Sequence, residues 1–587
     1  MTSPAVSEVR LPPPPPPEWT ISPEPDPEVV ARLALELSLP EPLCAVLAVR
    51  GVRDPDAAKV FLRPRLDHLH PPERMRDLER AADRILEAVV RGETVLVHGD
   101  YDVDGVCAAA LLTLWIRRLG GSAVPFVPHR VRDGYDLGPA GLEATRQAGA
   151  SLLVTCDSGI LAHDAVSEAS RQGIDVIVTD HHLPGAMLPP ALAVVNPNRS
   201  DCEYPDRSLC GAGVIFKLCQ ELALRRQIPP EELWRHLDLV TLATIADLVP
   251  LTGENRILVR FGLRYLTRTS KPGLRALLEV SGISPGAEIE AGKVGFVVAP
   301  RINAVGRMGD AAIALQLLLT EDPREAGELA RRVDQENARR QEEDRATLDE
   351  AVALLAPDFD ETRDFGVVLA GEGWHPGIIG IVASRVVERI HRPVVVVAMD
   401  GDQGRGSARS IPGVHMLRAL ERCESHLLRF GGHRQAAGME LAREALIPFR
   451  KAFNREIEAQ LDGHLPRPVR GGEVRLPLPD VTEELHRLLG YLGPFGMGNP
   501  RPVFWARGLR LEGRPRVVGR GHLKLELREG RGRLGAIGFG LADRVSPASL
   551  DGGSVDALFH LRENEYRGTR SLQARLLDLR PADSAGA

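Results

Sequence analysis

The sequence predicts an α/β protein of several packed units that ends in a small β-barrel. Three observations lead there. From about Thr94 short apolar runs alternate with amphipathic stretches, and each run closes on an aspartate. A charged helical stretch free of Gly and Pro follows Gly327. After Leu465 the pattern changes to short β-like runs broken by glycine and arginine. At 587 residues the chain is several times a common domain length, so more than one core is expected.

Residues 1–40 read as a disordered, proline-rich leader. Pro12 to Pro17 are consecutive and an acidic-proline stretch follows, which opposes both helix and central strand. Residues 41–318 read as the first α/β domain. TVLVHGD, SLLVTCD and IDVIVTD are its strands, spaced for intervening helices, so the sheet is parallel. The aspartates then fall at the carboxyl edge, where open α/β sheets bind ligands. Residues 319–358 form a connecting helix with Leu329, Val333 and Leu348 as sparse apolar points. Residues 359–465 form a second α/β domain, in which the helical GIIGIVASRVVERI separates the strands FGVVLA and PVVVVAMD. Residues 466–587, with HLKLELRE and RLGAIGFG, read as an antiparallel barrel, and PFGMGNP at 494–500 as a domain-joining loop.

A hydrophobic fraction of 43% with 26% charged residues fits a folded protein. No apolar run approaches the roughly 18 residues of a membrane span, and the N-terminus lacks a basic segment before an apolar one. Membrane insertion and export are disfavoured, and a cytoplasmic location is expected. Seven cysteines without a CxxC pair oppose a disulfide scaffold or zinc finger. Only six of the 73 basic residues are lysine; arginine's planar fork suits phosphate, though genome composition explains the bias equally well. Net charge is −7, unevenly spread. Residues 467–587 carry 20 basic against 14 acidic groups, a net +6, leaving −13 on residues 1–466. A carboxylate-rich body with a basic appendage suggests metals in one place and a polyanion in another.

The densest chemical signal is His98-Gly-Asp100-Tyr-Asp102-Val-Asp104-Gly105, directly after a strand. Three mutually repelling carboxylates are tolerated there when a cation neutralises them, and oxygen with imidazole ligands suits a divalent metal. An EF-hand loop also opens D-x-D-x-D-G, but with Asp100 first its twelfth position is Leu111 rather than a bidentate glutamate. Asp157 in VTCDSG and Asp180-His181-His182 in VTDHHLPG end strands of the same sheet. Asp247 in the apolar TLATIADLVPL reads equally as helix cap or ligand. Together these groups supply enough ligands for two cations about 4 Å apart, the arrangement that activates water and stabilises attacking and leaving oxygens at phosphorus.

The ordered set HGDYDVDG, VTCDSG, TDHH, NPN at 196–198, ATIADLVPL, RINAVGR, GWHPGIIGIVASR and GGHRQAAG closely resembles the single-strand-specific exonucleases of the DHH phosphoesterase superfamily, over about residues 40–580. The resemblance implies an α/β fold: a parallel-sheet DHH domain joined by a long helix to a second α/β, DHHA1-like domain, followed by a β-barrel of OB-fold type. It implies two divalent ions, with manganese the usual metal and magnesium the alternative. His98 and Asp102 would bind one ion, Asp157 would bridge, and Asp104, His181 and Asp247 would hold the second. Asp100 would be needed for activity beside these ligands, and His182 would lie near the scissile phosphate.

In the second domain Gly431, Gly432 and His433 would offer backbone N–H groups and an imidazole to phosphate, joined by Arg405, Ser407 and Arg409. Arg301, Asn303 and His375 would face an interdomain cleft, a helix-capping role being the alternative for His375. In the barrel Arg514, Arg516, Arg520, Lys524 and Arg528 are groove candidates, and Phe504, Trp505 and Tyr566 either stack on bases or fill the core.

The implied activity is 5′→3′ exonucleolytic release of 5′-mononucleotides from single-stranded DNA, in recombination and base-excision repair. A single-strand-binding protein and a helicase are the implied partners of a monomer. The alternatives are a small-substrate phosphodiesterase for oligoribonucleotides, pAp or cyclic dinucleotides, and a catalytically silent DNA-binding scaffold. The basic third domain favours a polymer, and the intact ligand set opposes silence. A family II-type pyrophosphatase shares the metal logic but is a much shorter chain.

Overall fold

The computed structural model describes residues 11, 15–130, 132–519, 521–550, 553–566 and 568–582. They fall into two compact units. One, called the catalytic unit below because it holds the sheet expected to be catalytic, comprises Lys59–Arg339 and Tyr491–Arg501; the other holds the described parts of Met1–Ala58, Arg340–Gly490 and Pro502–Ala587.

The stretch expected to be an unstructured leader contains a strand, β1 (Glu18–Ile21), and a helix, Pro27–Leu37. The prolines open this helix rather than forbid it. Pro27 stands in the first turn, where a missing N–H costs nothing, and the Asp26 side chain accepts from the Glu28 N–H. β1 pairs in parallel with residues 469–472. Trp19 anchors it: its Nε1 donates to Asp578 Oδ2 at 2.7 Å, and the Arg580 guanidinium lies 4.3 Å from its ring centroid.

In the catalytic unit β2 (Thr94–Gly99), β3 (Ser122–Phe126), β4 (Leu152–Cys156), β5 (Asp175–Thr179) and β6 (Ala193–Val195) form an all-parallel sheet in the order β3-β2-β4-β5-β6. The three expected strands are its centre. β3 and β6 escape the sequence pattern because one carries a proline at the sheet edge and the other spans only three residues. The Val103–Arg118 helix, which follows β2, is buried along most of its length. The connecting helix runs over Pro323–Leu355, within the expected span.

In the other unit β7 (Val367–Glu372), β8 (Val394–Asp400), β9 (Gln403–Arg409), β10 (Arg429–Gly432) and β11 (Ala436–Ala442) form a sheet in the order β10-β11-β9-β8-β7. Only β7 and β8 run parallel, with the Ile379–Ile390 helix between them in sequence. The chain continues through β12 (Val469–Gly472), β13 (Val474–Arg475), β14 (Phe504–Leu511), β15 (Arg516–Val518), β16 (His522–Glu529), β17 (Gly532–Gly538), β18 (Ser554–Tyr566) and β19 (Thr569–Pro581). The order β14-β18-β19-β17-β16 closes through a β14–β16 pairing, giving a five-stranded barrel. Its β17–β19 pairing is parallel, where antiparallel strands were expected throughout.

The seven cysteines are buried and unpaired, and among the described residues no helix is long and apolar enough to cross a membrane. The expected joining loop is built into the catalytic unit. Leu251 N donates to Met497 O at 2.7 Å, and buried Arg256 donates to the carbonyls of Phe61, Tyr491 and Gly493 at 2.6, 3.0 and 2.8 Å. Its guanidinium also lies 4.0 Å from the Phe61 ring centroid. Arg256→Ala removes these bonds and the packing on Phe61, leaving Arg260 Nη1 on the Tyr491 and Gly493 carbonyls at 3.2 and 3.0 Å, and is expected to destabilise the protein by about 2–4 kcal/mol. Urea unfolding measures this, with earlier proteolytic cleavage within 491–501 as the local sign; unchanged unfolding and cleavage would contradict the anchoring role.

Candidate metal centre and phosphate-binding face

Every expected metal ligand except Asp247 lies at or just beyond the carboxyl end of β2, β4 or β5. Asp102 caps the Val103–Arg118 helix: its Oδ1 accepts from the N–H groups of Asp104 and Gly105 at 2.9 and 3.0 Å. Gly105 has no substitute here, because a Cβ on it would lie 2.4 Å from Asp100 N. Asp104 is buried and accepts from the Gly211 and Ala212 N–H groups, at 2.6 and 2.7 Å, where the Gly211–Arg225 helix begins. A Cβ on Gly211 would meet Asp157 Cβ at 2.5 Å, so this helix start also sets the place of Asp157.

His181 is the hub. Its Nε2 lies 3.0 Å from Asp157 Oδ1, 3.7 Å from Asp247 Oδ2 and 3.8 Å from Asp104 Oδ2. Ligand atoms of Asp104, His181 and Asp247 all lie within 4.8 Å of one another, as do those of Asp100, Asp102 and Asp157, and those of Asp157, His181 and His182. The first group is the expected second-ion set. His98 belongs to none of the three groups; it is buried on the same edge, beside Phe126.

The electrostatics fit a cation. Burial pushes Asp104 up to about 7, with Asp102 adding repulsion, and pushes Asp247 up to about 8, with Asp104 adding to it. Burial and neighbouring aspartates also raise Asp100 and Asp157 well above the carboxylate range. Burial lowers His98 and His181 to about 4, leaving both imidazoles neutral and able to bind metal at pH 7. Both ring nitrogens of His98, Nε2 of His181, and Oδ1 of Asp100 and of Asp157 are buried without a hydrogen-bond partner among the described residues. Buried polar atoms are normally satisfied, and a pair of divalent ions is what this donor set lacks.

His182 differs. Burial works against its charge, but the hydrogen bond from its Nδ1 to Asp180 Oδ1, 2.7 Å, raises it to about 9. It is therefore a cation at pH 7, suited to phosphate rather than metal. Asp180 also accepts from the N–H groups of His181, His182 and Ile160, and the Asn196 and Asn198 amides hold the His182 and His181 carbonyls. Sequence reasoning counted Asp180 among the metal-site groups and gave Asn196 and Asn198 no role, although NPN marks them.

The expected phosphate groups of the second unit come together on one sheet. Arg405, Ser407 and Arg409 alternate along one face of β9. The register places Ser407 beside Gly438 and Gly438 beside Gly431, so SARS and GGH meet across three strands. Arg409 Nη1 donates to Ser407 Oγ at 3.0 Å. Gly380, in the first turn of the Ile379–Ile390 helix, leaves room for both, because its Cβ would lie 2.6 Å from Arg409 Nη2 and 3.0 Å from Ser407 Oγ. Gly432, at φ +146, takes a conformation reserved for glycine, and Gly431 and His433 are exposed. His375 serves its own loop: its Nδ1 accepts from the Gly377 N–H at 3.0 Å.

The model of the DHH family's N-terminal domain matches residues 94–244, that of the DHHA1 domain residues 364–459, and that of the RecJ OB domain residues 473–578. The chain is 38% identical to the single-stranded-DNA-specific exonuclease RecJ of Escherichia coli, covering 93% of this chain and 97% of that one. It is 37% identical to the RecJ of Dickeya dadantii, covering 94% and 98%. The chain belongs to the RecJ family. The crystal structure of RecJ from Thermus thermophilus in complex with Mn2+ superposes with a TM-score of 0.81 at 35% identity, covering 96% of this chain and 79% of that one.

Several expected RecJ site residues lie elsewhere than at an open site. Arg301 is committed to structure, donating from Nε to Asp334 Oδ1 at 2.8 Å and from Nη1 to the Val297 carbonyl. Asn303 is half-buried on the Ala299–Met308 helix, which approaches the metal loop closely enough that a Cβ on Gly306 would lie 2.4 Å from Tyr101 O. In the barrel Arg514, Arg516, Lys524 and Arg528 are exposed, whereas Arg520 and the side chain of Tyr566 lie outside the described residues. Phe504 and Trp505 are buried, at 1% and 9% exposure, and so belong to the core rather than to a stacking surface. Sequence reasoning passed over Tyr101, Tyr135 and Arg130. Tyr135 lies edge-on to His182 and to Tyr101, at 6.1 and 6.3 Å, and Arg130 lies 5.0 Å from the Tyr101 ring centroid.

The raised carboxyls fix the sign of a pH effect. A folded-state pKa above the ordinary 3.8 means that the folded, metal-free protein holds protons the unfolded chain has already lost. Stability from Asp104 and Asp247 is therefore present at low pH and lost as pH rises through about 7 and 8. Bound metal replaces those protons. The rise in melting temperature on adding Mn2+ to metal-stripped protein is expected to be larger at pH 8.5 than at pH 6; a smaller rise at pH 8.5 would count against this centre.

Proposed function

We propose that this chain is a single-strand-specific DNA exonuclease that cleaves from the 5′ end and releases 5′-mononucleotides. The observation that carries the reading is the gathering of Asp104, Asp157, His181 and Asp247 around one point, with Asp100 and Asp102 alongside, at the edge of a parallel sheet. His98, Asp102 and Asp157 would hold one divalent ion, and Asp104, His181 and Asp247, with Asp157 shared, the other. The chemistry that such a pair supplies when bound is Lewis-acid stabilisation of charge on phosphate oxygens and a lowered pKa for water.

The chain's own residues do the rest. The sheet edge holds the carboxylates where their repulsion is relieved only by cations. His182, kept protonated by Asp180, presents positive charge to the phosphate. Ser407, Arg409 and the Gly431–His433 segment offer charge-assisted donors to a second phosphate of the same strand. Arg405 adds charge beside them, and His375 shapes the adjoining loop. Asn303 belongs to the substrate path, whereas Arg301 contributes by holding its helix. The barrel carries the remainder of the strand. Action in recombination and repair, in the cytoplasm, as a monomer working with a helicase and a single-strand-binding protein, completes the reading.

Digestion of a 5′-labelled single-stranded oligonucleotide tests it, with 3′-labelled and duplex controls. Labelled mononucleotide is expected immediately, in Mn2+ and not in EDTA. Replacing a group behind a metal ligand costs about 10- to 100-fold, so loss of a ligand in Asp102→Ala is expected to cost more than about 100-fold. Binding without cleavage in every metal would replace this reading with the scaffold, and cleavage confined to dinucleotides or pAp with the small-substrate enzyme. For the second unit, Arg409→Ala is expected to raise KM more than it lowers kcat; a pure kcat loss would move Arg409 away from substrate binding.

A further inference from the structure

Asp104 and Asp247, the two carboxylates expected to share the second ion, reach it from separate parts of the chain. Each depends on a loop. Asp104 is held by the N–H groups of Gly211 and Ala212, which directly follow the loop at 204–210. Asp247 caps the end of the Leu237–Ala246 helix, and the residue after it, Leu248, stands at φ +60 and is 65% exposed. A leucine keeps that left-handed conformation only where its surroundings enforce it.

Asn255 joins the two loops. It lies fully buried in the first turn of the Gly253–Thr267 helix, and its Nδ2 donates to the Ser208 carbonyl at 2.6 Å and to the Pro250 carbonyl at 3.1 Å. Ser208 stands three residues before Gly211, and Pro250 three residues after Asp247. Both amide hydrogens are therefore used, one on each loop, and turning the amide over would set its oxygen against two carbonyls. Its Oδ1 has no partner among the described residues, so the donors are what this buried group contributes. Asp206 closes the join from the other half. Its Oδ1 accepts from the N–H and the hydroxyl of Ser208 at 3.0 and 2.6 Å, and its Oδ2 from the Glu254 N–H at 2.8 Å. A Cβ on Gly253 would lie 2.3 Å from Asp206 Oδ2, so the helix start and the loop meet without slack.

We propose that Asn255 is a positioning residue that sets the spacing of Asp104 and Asp247, and thereby the affinity of the second ion. Neither carboxylate is its hydrogen-bond partner. Its two bonds fix the backbone that bears Asp247 against the backbone whose N–H groups hold Asp104, so that the two carboxylates stay 3.7 and 3.8 Å from His181 Nε2. Loss of the donors frees the turn at Leu248 to relax, which carries Asp247 away and leaves His98 and Asp102, expected on the other ion, where they are. This role rests on the assignment of the second ion to Asp104, His181 and Asp247, and adds which distant side chain enforces it.

Calorimetric titration of the metal-stripped full chain with Mn2+ tests the role, with Asp247→Ala marking which ion is the second and thermal melting confirming that each variant folds. Asn255→Leu, of similar bulk but without donors, is expected to weaken that ion by about 10- to 100-fold and to leave the other unchanged. Its kcat is expected to fall at limiting Mn2+ and recover at saturating Mn2+, with KM for single-stranded DNA unaltered. Arg84→Lys controls for stability alone. Arg84 pairs with Glu93 and Asp175 at 2.6 and 2.7 Å beside the starts of β2 and β5, at the sheet edge opposite the ligands. Lysine keeps the charge without the fork that reaches both carboxylates, so the variant is expected to melt lower and bind both ions normally. Should Asn255→Leu not fold, Asp206→Ala, from the other half of the join, carries the same expectation. A folded variant of this pair with both ions bound as in the unsubstituted chain, or with the other ion weakened as much, overturns the role of Asn255 alone. Equal weakening of the second ion by Arg84→Lys does the same. An Asp247→Ala titration identical to that of the unsubstituted chain overturns the assignment of the second ion, and this role with it.

Discussion

Asp100, Asp104, Asp157 and Asp180 are all buried at one edge of a parallel sheet, and the electrostatic cost of holding them there organises the catalytic unit. Isolated in low dielectric, such groups keep their protons or find cations. Asp180 finds one in His182, and each shifts the other toward the charged form. The other three gain less from cations, His182 reaching Asp157 only at 3.8 Å, and burial with mutual repulsion pushes their carboxyls upward instead. A site that leaves carboxylates and neutral imidazoles unsatisfied in the same few ångströms is built around ions supplied from outside the chain.

Backbone supports this arrangement as much as side chains do. Helix starts meet the cluster at Val103 and Gly211, and their N–H groups hold Asp102 and Asp104. Such ends carry partial positive charge, which favours carboxylates there. Glycines at 105, 211 and 306 let the backbone close to distances that no Cβ permits. Small residues here act through the space they leave, so the ligand geometry depends on positions that carry no chemistry themselves.

The groups expected to bind phosphate in the other unit are assembled by a different rule. Ser407, Arg409 and the Gly431–His433 segment come from β9 and β10, joined by the register of β11, and the first turn of a helix passes Arg409 at Gly380. The barrel repeats the theme, with cations from three strands aligned by register rather than by neighbourhood in sequence. In both places the candidate donors lie far apart along the chain.

Much of this was legible from the amino-acid order alone. Apolar runs ending in aspartate determined the parallel sheet and its acidic edge, because strand periodicity and ligand crowding are local signals. The long charged helix was local in the same way. Residues 18–37 depart from the expected unstructured leader, because Pro27 opens a helix and β1 is held by partners far along the chain. Sequence alone left Asp247 balanced between cap and ligand, and only the fold brings it to 3.7 Å from His181. Likewise only register could bury Phe504 and Trp505 while leaving Phe539 exposed between His522 and Arg575. Residue type states what a side chain can do, whereas burial and the partner across the sheet are long-range properties that exist only once the chain has closed on itself.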